Sequence, residues 1–265
     1  MYQTNYHRAS SVDEAVRMIS GTSEGKYVSG GMTLIPTMKQ RLAAPSDLVD
    51  LRHIPAMQGI KIDGRKVTIG AATPHAEVAA SVALRAVCPA ICDLAGMIGD
   101  PHVRHMGTIG GSIANNDPAA DYPSSMLALN ARITTNKREI PADDFFTGLF
   151  ETALEDGELV IAISFEVPEK AGYSKFPNPA SRYAMTGVFV AKGADGVRVA
   201  VTGAGSNGVF REKAMETALS ANWSSGSVAG VEVNAAGLMS DLHASAEYRA
   251  NLIKVMAKRA VAEAG

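Results

Sequence analysis

The sequence is short of cysteine, and this shortage excludes most metal centres. Its 265 residues include two cysteines, Cys88 and Cys92, whereas an iron–sulfur cluster takes four thiolates and a zinc site needs further ligands nearby. The four-residue spacing places both on one face of a predicted helix. We interpret them as core residues of a protein from a reducing compartment, and we expect no metal in this chain.

Long apolar runs and clusters of like charge are also missing. No apolar run approaches the ~20 residues that span a bilayer, and the first twenty residues lack the apolar core of a signal peptide. A net charge of −2 without a run of like charges argues against nucleic acid as the main partner. We therefore expect a cytoplasmic protein with no membrane insertion and no nucleic-acid binding.

What is present is an ordinary globular composition, with 46% hydrophobic and 20% charged residues. The chain opens with a capping box at Ser11, which predicts a helix. Strands predicted at 26–29 and 46–51 flank a helix predicted at 34–42. Residues 1–53 therefore form a small unit in which helices and strands alternate.

The pattern then changes. Two alternating segments around Asp63-Gly64 predict a β-hairpin, residues 74–98 are Ala-rich and helical, and further strands are predicted at 131–135 and 159–167. The stretch 168–179 is rich in Pro, Gly, Ser and Asn, which predicts a domain boundary. Two strands and a long apolar-striped helix follow it.

Two glycine-rich segments are candidates for ligand binding. The first, Ser29–Leu34, lies between a predicted strand and a predicted helix. Paired glycines allow close approach and positive φ, and successive N–H groups can form an anion-binding nest. A pyrophosphate would suit such a loop, although a tight turn without a ligand is an equal alternative from this segment alone.

The second segment, Gly107–Asp121, holds glycines, hydroxyls, amides and carboxylates between apolar helices. Polar groups at this density are costly to bury without partners. A sugar-phosphate ligand would supply them, its hydroxyls meeting Asp121 and its phosphate oxygens meeting backbone N–H groups and Thr108. The alternative is that Asp117 and Asp121 cap turns.

These segments and three others resemble, in order along the whole chain, the FAD-binding medium subunit of molybdenum hydroxylases, the carbon monoxide dehydrogenase and xanthine dehydrogenase family. One glycine motif would be weak support, whereas five ordered matches are specific. The matching stretches are 30–42, 107–123, 143–148, 176–183 and 240–249.

The resemblance implies an α+β fold. It implies a two-lobed FAD-binding domain of the vanillyl-alcohol-oxidase type at residues 1–168, with lobes 1–53 and 54–168, and a small α+β C-terminal domain at 172–265. The implied cofactor is noncovalent FAD. The implied cofactor-binding residues are Val28, Ser29, Gly30, Gly31, Met32, Thr33, Leu34, Thr108, Ile109, Gly110, Gly111, Ser112, Asp121, Val160 and Tyr183.

The resemblance also implies roles for these residues. Residues 29–33 would hold the pyrophosphate, Thr108–Ser112 would make further contacts, and Asp121 would make an acidic contact. Tyr183 would lie against or near the isoalloxazine ring, and Val160 near the adenine or the ring system.

Three positions depart from the family's usual pattern. Ser29 stands where alanine is common, Met32 where a polar residue is common, and His105-Met106 where Asn-Arg is common. The first two leave binding through the backbone intact, whereas the third puts in doubt any contact made by that arginine.

Other patterns point to different sites. Gly203–Gly208 fits the dinucleotide fingerprint G-x-G-x-x-G. A dinucleotide site requires a second buried strand after the next helix, but a Ser/Gly-rich stretch stands there. We therefore interpret these glycines as a turn. The pairs His75/Glu77 and His102/His105 each lack a third metal ligand at a useful spacing. Surface or structural histidines are favoured, with a place near the flavin as the alternative for His102 and His105.

Three functions are compatible with the sequence: an electron-transfer flavoprotein subunit, a self-sufficient FAD-dependent oxidase of the same fold, and an interaction module without FAD. The resemblance favours the first. It implies a [2Fe-2S] small subunit and a molybdopterin large subunit as partners, in a dimer of heterotrimers. The acceptor stays open among NAD, quinone, cytochrome and oxygen, and no catalytic residue is assigned.

An electron carrier must expose part of its flavin edge to its donor. We therefore expect an apolar docking face around that edge, with loose loops at 99–105 or 172–178.

Overall fold

The computed structural model describes residues 1–264 and has an α+β architecture. Its α-helices are α1 Val12–Ser20, α2 Leu34–Lys39, α3 His75–Ala80, α4 Val82–Val87, α5 Pro89–Gly96, α6 Pro101–Met106, α7 Ile109–Asn115, α8 Tyr122–Ala128, α9 Ala142–Phe145, α10 Lys213–Ala221, α11 Ser225–Ala229 and α12 Ala246–Glu263. Two short 3-10 helices occupy Pro55–Met57 and Ala235–Gly237.

The strands of the described residues form four sheets. They are β1 Asn5–Arg8, β2 Lys26–Val28, β3 Asp47–Asp50, β4 Ile60–Asp63, β5 Lys66–Gly70, β6 Arg132–Thr135, β7 Glu139–Pro141, β8 Phe146–Gly148, β9 Glu151–Thr152, β10 Val160–Glu166, β11 Lys170–Pro177, β12 Ala184–Gly193, β13 Gly196–Thr202 and β14 Phe210–Arg211.

A small parallel sheet, in the order β1-β3-β2, forms the first part of the chain. Its first crossover helix, α1, begins where the capping pattern predicts, because the Ser11 hydroxyl accepts the N–H of Glu14 at 3.2 Å. The Glu14 carboxylate returns to the N–H of Ser10 at 2.7 Å, one residue before the position that a standard capping box uses. Strand β1 was not predicted, because the segment Asn-Tyr-His-Arg lacks the alternating apolar residues that mark a strand in a sequence.

The second sheet has five antiparallel strands in the order β4-β5-β10-β6-β7. The predicted hairpin is confirmed: β4 and β5 turn at Asp63-Gly64, where Gly64 has φ +58°. Helices α3 to α5, α7 and α8 share one hydrophobic core with this sheet. The fold therefore combines a parallel unit with a larger antiparallel sheet, and β2 of the first and the start of β10 in the second line the cleft described below.

The third sheet, in the order β11-β12-β13-β14, is covered on both faces. Helices α5 and α8 pack on one side, and α10 and α12 pack on the other. Residues of α10, α11 and α12 form a second core with β12 and β13. The structure thus has two hydrophobic cores. They lie on the two faces of the third sheet, whose Tyr173 and Phe189 belong to the first core.

Strand β11 corrects the expectation of an irregular boundary at 168–179 and of a loose loop at 172–178. It pairs with β12 along its whole length, from Lys170 opposite Lys192 to Pro177 opposite Ala184. Gly172 serves close packing, since a Cβ there would lie 2.0 Å from the carbonyl oxygen of Ala260 in α12. The glycine that suggested mobility in the sequence is therefore a helix contact.

The segment 99–105, the other expected loose loop, is also regular. Most of it belongs to α6, with Asp100 as N-cap accepting the N–H of Val103 at 3.0 Å. The Arg104 guanidinium donates to the carbonyl oxygens of Ile98 and Gly99.

The two cysteines do not share one helix, because the backbone breaks at Cys88 between α4 and α5. Both thiols are buried, as expected for core residues. Burial raises the pKa of Cys88 to about 12 and that of Cys92 to about 11, so neither is a ready thiolate. The described residues contain no cluster of three potential metal ligands. Nor, within residues 1–264, does any helix have the length and apolar character to cross a bilayer.

Arg249 of α12 holds the third sheet to the C-terminal helix and is almost completely buried. Its Nη1 donates to the carbonyl oxygens of Met185 (2.6 Å) and Gly203 (2.7 Å), and its Nη2 donates to the Asp241 carboxylate (2.8 Å).

We predict that Arg249→Met lowers the free energy of unfolding by about 3 kcal/mol, because it removes three hydrogen bonds, those to Met185, Gly203 and Asp241. Urea denaturation of the full chain measures this change. The control, Arg259→Met on an exposed part of the same helix, should change stability by no more than ~0.5 kcal/mol. Equal losses in the two variants would contradict the role given to Arg249.

Candidate cofactor site

A cleft of about 700 Å³ lies where the parallel unit meets the larger antiparallel sheet. Its size falls in the range of small-molecule sites. Three separate parts of the chain line it: the loop after β2, the region from α3 through the start of α8, and residues near β10 and the β11–β12 turn. All the residues proposed above as cofactor-binding line the cleft except Ile109.

The first glycine segment presents its backbone to the cleft. Gly31 has φ +70°, a conformation that glycine adopts without steric cost. The N–H groups of residues 30–34 donate to no acceptor within residues 1–264; the first paired N–H after them is that of Ile35, to the Gly31 carbonyl at 3.0 Å. Consecutive unpaired N–H groups at a cleft form a nest that suits an anion.

The two glycine segments touch directly. A Cβ on Gly30 would lie 2.2 Å from the carbonyl oxygen of Met106 and 2.6 Å from the Cα of Gly107. The Thr108 hydroxyl donates to the Ser29 hydroxyl at 3.1 Å. Gly30 is therefore needed so that the two sides of the cleft can meet, whether or not a ligand is bound.

The second segment uses its N–H groups within the protein. Gly110 donates to the Ala71 carbonyl at 2.9 Å, and Gly111 to the Thr108 hydroxyl at 3.1 Å. A Cβ on Gly110 would lie 2.4 Å from that of Ala71, so this glycine serves helix packing. The expectation that backbone N–H groups here bind phosphate oxygens is not supported. This segment offers the cleft glycine surfaces and the side chains of Thr108 and Ser112.

Ile109 differs from its neighbours. Its side chain is completely buried in the first core, and its N–H donates to the carbonyl oxygen of Thr73 at 3.2 Å. The assignment of Ile109 as a cofactor contact therefore has no support in the geometry, because neither its side chain nor its N–H reaches the cleft.

Asp121 lies at the floor of the cleft and already has protein partners. Its carboxylate accepts a hydrogen bond from Tyr173 at 2.5 Å and pairs with Lys175 at 2.9 Å. Lys175 also donates to the carbonyl oxygen of Met97. Burial raises the pKa of Asp121, while the Lys175 ammonium and the Tyr173 hydroxyl oppose that rise. The sequence missed Tyr173 and Lys175, since no local pattern links β11 to Asp121.

Tyr183 stands at the cleft with about half of its side chain exposed (49%). A tight turn presents it: the Asn178 side chain accepts the N–H groups of Ala180 and Ser181, and Arg182 has φ +62°. Burial raises the pKa of the Tyr183 hydroxyl, and the carboxylates of Asp117 and Asp121 add to this rise. Tyr183 is therefore a neutral aromatic surface beside the acidic side of the cleft.

Val160 also lines the cleft, close in the chain to the buried carboxylate of Glu158, which lines it too. The Arg138 guanidinium binds Glu158 through Nε and Nη2, each at 3.1 Å, and the Thr135 hydroxyl donates to it at 2.6 Å. Burial alone would raise the pKa of Glu158. The hydrogen bonds from Arg138, the Glu155 N–H and Thr135 outweigh burial and hold the pKa at about 2.

The histidines separate into two kinds. His102 and His105 are exposed on α6 and do not line the cleft, so the place near a flavin considered for them is not supported. His75 is buried and lines the cleft. No signal in the sequence distinguished His75 from a surface histidine.

The segment Gly203–Gly208 is a compact turn away from the cleft, as expected. A Cβ on Gly205 would lie 2.4 Å from the carbonyl oxygen of Gly208, and the Ser206 N–H donates to Gly237. Helix α10 begins only at Lys213, so no helix start follows these glycines as a dinucleotide site requires.

The unpaired N–H groups, the cleft of about 700 Å³ and the half-exposed tyrosine suit a ligand that has both an anionic group and a ring system. The family model described as the FAD-binding domain in molybdopterin dehydrogenase matches residues 2–169. The chain belongs to this family of FAD-binding domains, and FAD is its cofactor.

Individual relatives agree with this membership over nearly the whole chain. The carbon monoxide dehydrogenase medium chain of Afipia carboxidovorans is 35% identical, over 98% of this chain and 96% of its own length. The nicotine 6-hydroxylase medium subunit of Paenarthrobacter nicotinovorans is 32% identical, over 98% and 96%. A solved structure of a Cu,Mo-containing CO dehydrogenase matches with a TM-score of 0.89 and 33% identity, covering 100% of this chain and 98% of that one.

The relatives are medium chains of multi-subunit oxidoreductases. This chain is therefore an oxidoreductase subunit of the molybdenum hydroxylase family, and the interpretation as a self-sufficient oxidase is set aside.

The depressed pKa of Glu158 makes stability depend on pH. A carboxylate whose pKa is about 2 in the fold and ordinary when unfolded stabilises the fold above about pH 4.5, and this stabilisation is lost as the pH falls toward 2. We predict that Glu158→Gln is less stable than the parent at pH 7 and that the difference shrinks between about pH 4.5 and 2. Denaturant titrations at several pH values measure it.

The control for this prediction is Glu155→Gln, because Glu155 is exposed and pairs with Lys137 at the surface. Its difference from the parent should stay small at every pH. A Glu158→Gln difference that is independent of pH would show that the carboxylate charge does not stabilise this wall of the cleft.

Proposed function

We propose that this chain carries electrons, through FAD held in the cleft, from [2Fe-2S] clusters of a small subunit to an external acceptor, within a complex that also contains a molybdopterin large subunit. The N–H nest at residues 30–34 is the observation that carries this proposal, because it supplies an anion site at a cleft of suitable size. Bound FAD supplies the redox chemistry, and the protein supplies binding, orientation and electrostatics.

We assign the pyrophosphate to the nest and the two ends of FAD to the two ends of the cleft. Val160 would border the adenine end, and Tyr183 would lie against the isoalloxazine ring. Asp121 would influence the ring through its ion pair with Lys175, since both carboxylate oxygens have partners already. The residues assigned to FAD are Val28, Ser29, Gly30, Gly31, Met32, Thr33, Leu34, Thr108, Gly110, Gly111, Ser112, Asp121, Val160 and Tyr183.

We assign residues 1–168 to the FAD-binding domain, with lobes 1–53 and 54–168, and residues 172–265 to a C-terminal domain. The family match at 2–169 and the separate core formed by α10 to α12 support this division. Helices α5 and α8 pack on the third sheet, and Tyr173 and Phe189 of that sheet belong to the first core, so we expect the two domains to be joined firmly.

The shortage of metal ligands in this chain supports the proposal that other subunits carry the metal centres. The two cysteines are buried with raised pKa values, and residues 1–264 hold no metal-ligand cluster. Iron–sulfur clusters and molybdenum must then be supplied by other chains. We propose a dimer of heterotrimers as the assembled form.

We predict that Gly31→Ala weakens FAD binding roughly ten-fold, because a Cβ at positive φ adds strain of about 1–2 kcal/mol and turns the N–H groups away from the anion. Fluorescence titration of the apo chain with FAD measures it. The control is Gly64→Ala, which also has positive φ but open space around it, and which should retain the parent affinity. Failure of the parent chain to bind FAD would refute the proposed function.

We predict that the isolated chain with FAD does not oxidise organic substrates and that a tagged chain purified from its native source brings an iron–sulfur subunit and a molybdopterin subunit with it. Metal analysis and the visible spectrum of the purified complex measure this. Recovery of the chain alone, with rapid turnover of an alcohol and oxygen, would instead establish a self-sufficient oxidase.

A further inference from the structure

His75 is a buried histidine that the sites described so far do not use. Only 4% of its surface is exposed, and neither ring nitrogen forms a hydrogen bond with a residue of the described chain. Its Nδ1 is fully buried without a partner. Nε2 is not among the fully buried atoms, so it is the ring nitrogen that can still meet a partner from outside the chain.

The other edge of the ring faces the cleft wall. A Cβ on Gly107 would lie 2.7 Å from Nε2 and 3.0 Å from Cδ2 of His75, and both residues line the cleft. The backbone fixes this arrangement, because the His75 N–H donates to the Gly107 carbonyl oxygen at 2.9 Å. Nε2 thus packs directly against Gly107, and any side chain there would collide with the ring.

The charge state of the ring follows from its surroundings. Burial, with the nearby Arg104 guanidinium, lowers the pKa of His75 to about 4, so the imidazole is neutral at pH 7. A neutral imidazole carries one N–H donor and one acceptor nitrogen. Since Nδ1 is enclosed by protein, we assign the proton to Nε2, the nitrogen beside Gly107.

We propose that His75 is a further FAD-binding residue, whose Nε2–H donates a hydrogen bond to an oxygen of FAD. The acceptor is a phosphate oxygen, a ribityl hydroxyl or a ring carbonyl, all of which FAD offers along its length. This inference rests on the proposed FAD site and adds an imidazole N–H donor to the backbone N–H groups and the Thr108 and Ser112 hydroxyls of that site.

The test compares His75→Phe with Tyr122→Phe. The Tyr122 ring lies 5.4 Å from that of His75, and its hydroxyl is also buried without a partner, but Tyr122 does not line the cleft. Each variant removes unpartnered buried polar atoms, so each apo chain should keep or gain thermal stability. Only His75→Phe should weaken FAD binding, by roughly ten-fold.

Two further measurements make the test specific. Addition of FAD should shift the ¹⁵N resonance of the His75 Nε2, and His75→Gln, which keeps a donor, should recover part of the affinity. Titration with ADP and with riboflavin locates the acceptor: weaker ADP binding by His75→Phe places it in the pyrophosphate half, and weaker riboflavin binding places it in the flavin half.

The inference is overturned if His75→Phe binds FAD like the parent, or if it lowers apo stability and FAD affinity in parallel while His75→Gln restores neither. In both cases the parent still binds FAD, so the proposed function is unaffected. If the parent itself fails to bind FAD, the proposed function and this inference fail together.

Discussion

The ion pair between Asp121 and Lys175 connects the cleft with the third sheet. Both side chains are almost completely buried, at 5% and 3% exposure, and isolated buried charges are too costly to persist unpaired. Lys175 lies on β11, whereas Asp121 immediately precedes α8, so the charges can be neutralised only when the third sheet is docked. Lys175 also donates to the carbonyl oxygen of Met97, so the end of α5 is tied to the third sheet as well. The position of Asp121 in the cleft therefore depends on the docking of the third sheet.

The two glycine segments look alike in sequence but differ in physical role. In the first, Gly31 adopts positive φ and the N–H groups of residues 30–34 stay available. In the second, Gly110 allows α7 to pack against Ala71, and the N–H groups are used within the protein. Glycine thus permits a positive φ in the first segment and close packing in the second. The anion site is concentrated in the first, while the second brings the walls of the cleft together.

Much of the fold and of the cleft could be predicted where the determining interactions are local. The N-cap at Ser11 and the turn at Asp63-Gly64 each depend on a few neighbouring residues. Strand β11 was misread because its glycine and prolines resemble linker residues, and only the distant α12 reveals that Gly172 is a packing contact. Lys175 was not predicted as a site residue for the same reason, because its partners Met97 and Asp121 lie far away in sequence.

The residues of this chain identify its cofactor, whereas nothing in the chain identifies the substrate. Relatives named for carbon monoxide and for nicotine are 35% and 32% identical to it over the same 98% of its length. If FAD here receives electrons from an iron–sulfur subunit, the organic substrate never enters the cleft. The nest, the buried ion pair and Tyr183 are then arranged for the cofactor alone. Selection for a new substrate would act on another subunit, and one cleft could serve complexes that oxidise chemically unrelated molecules.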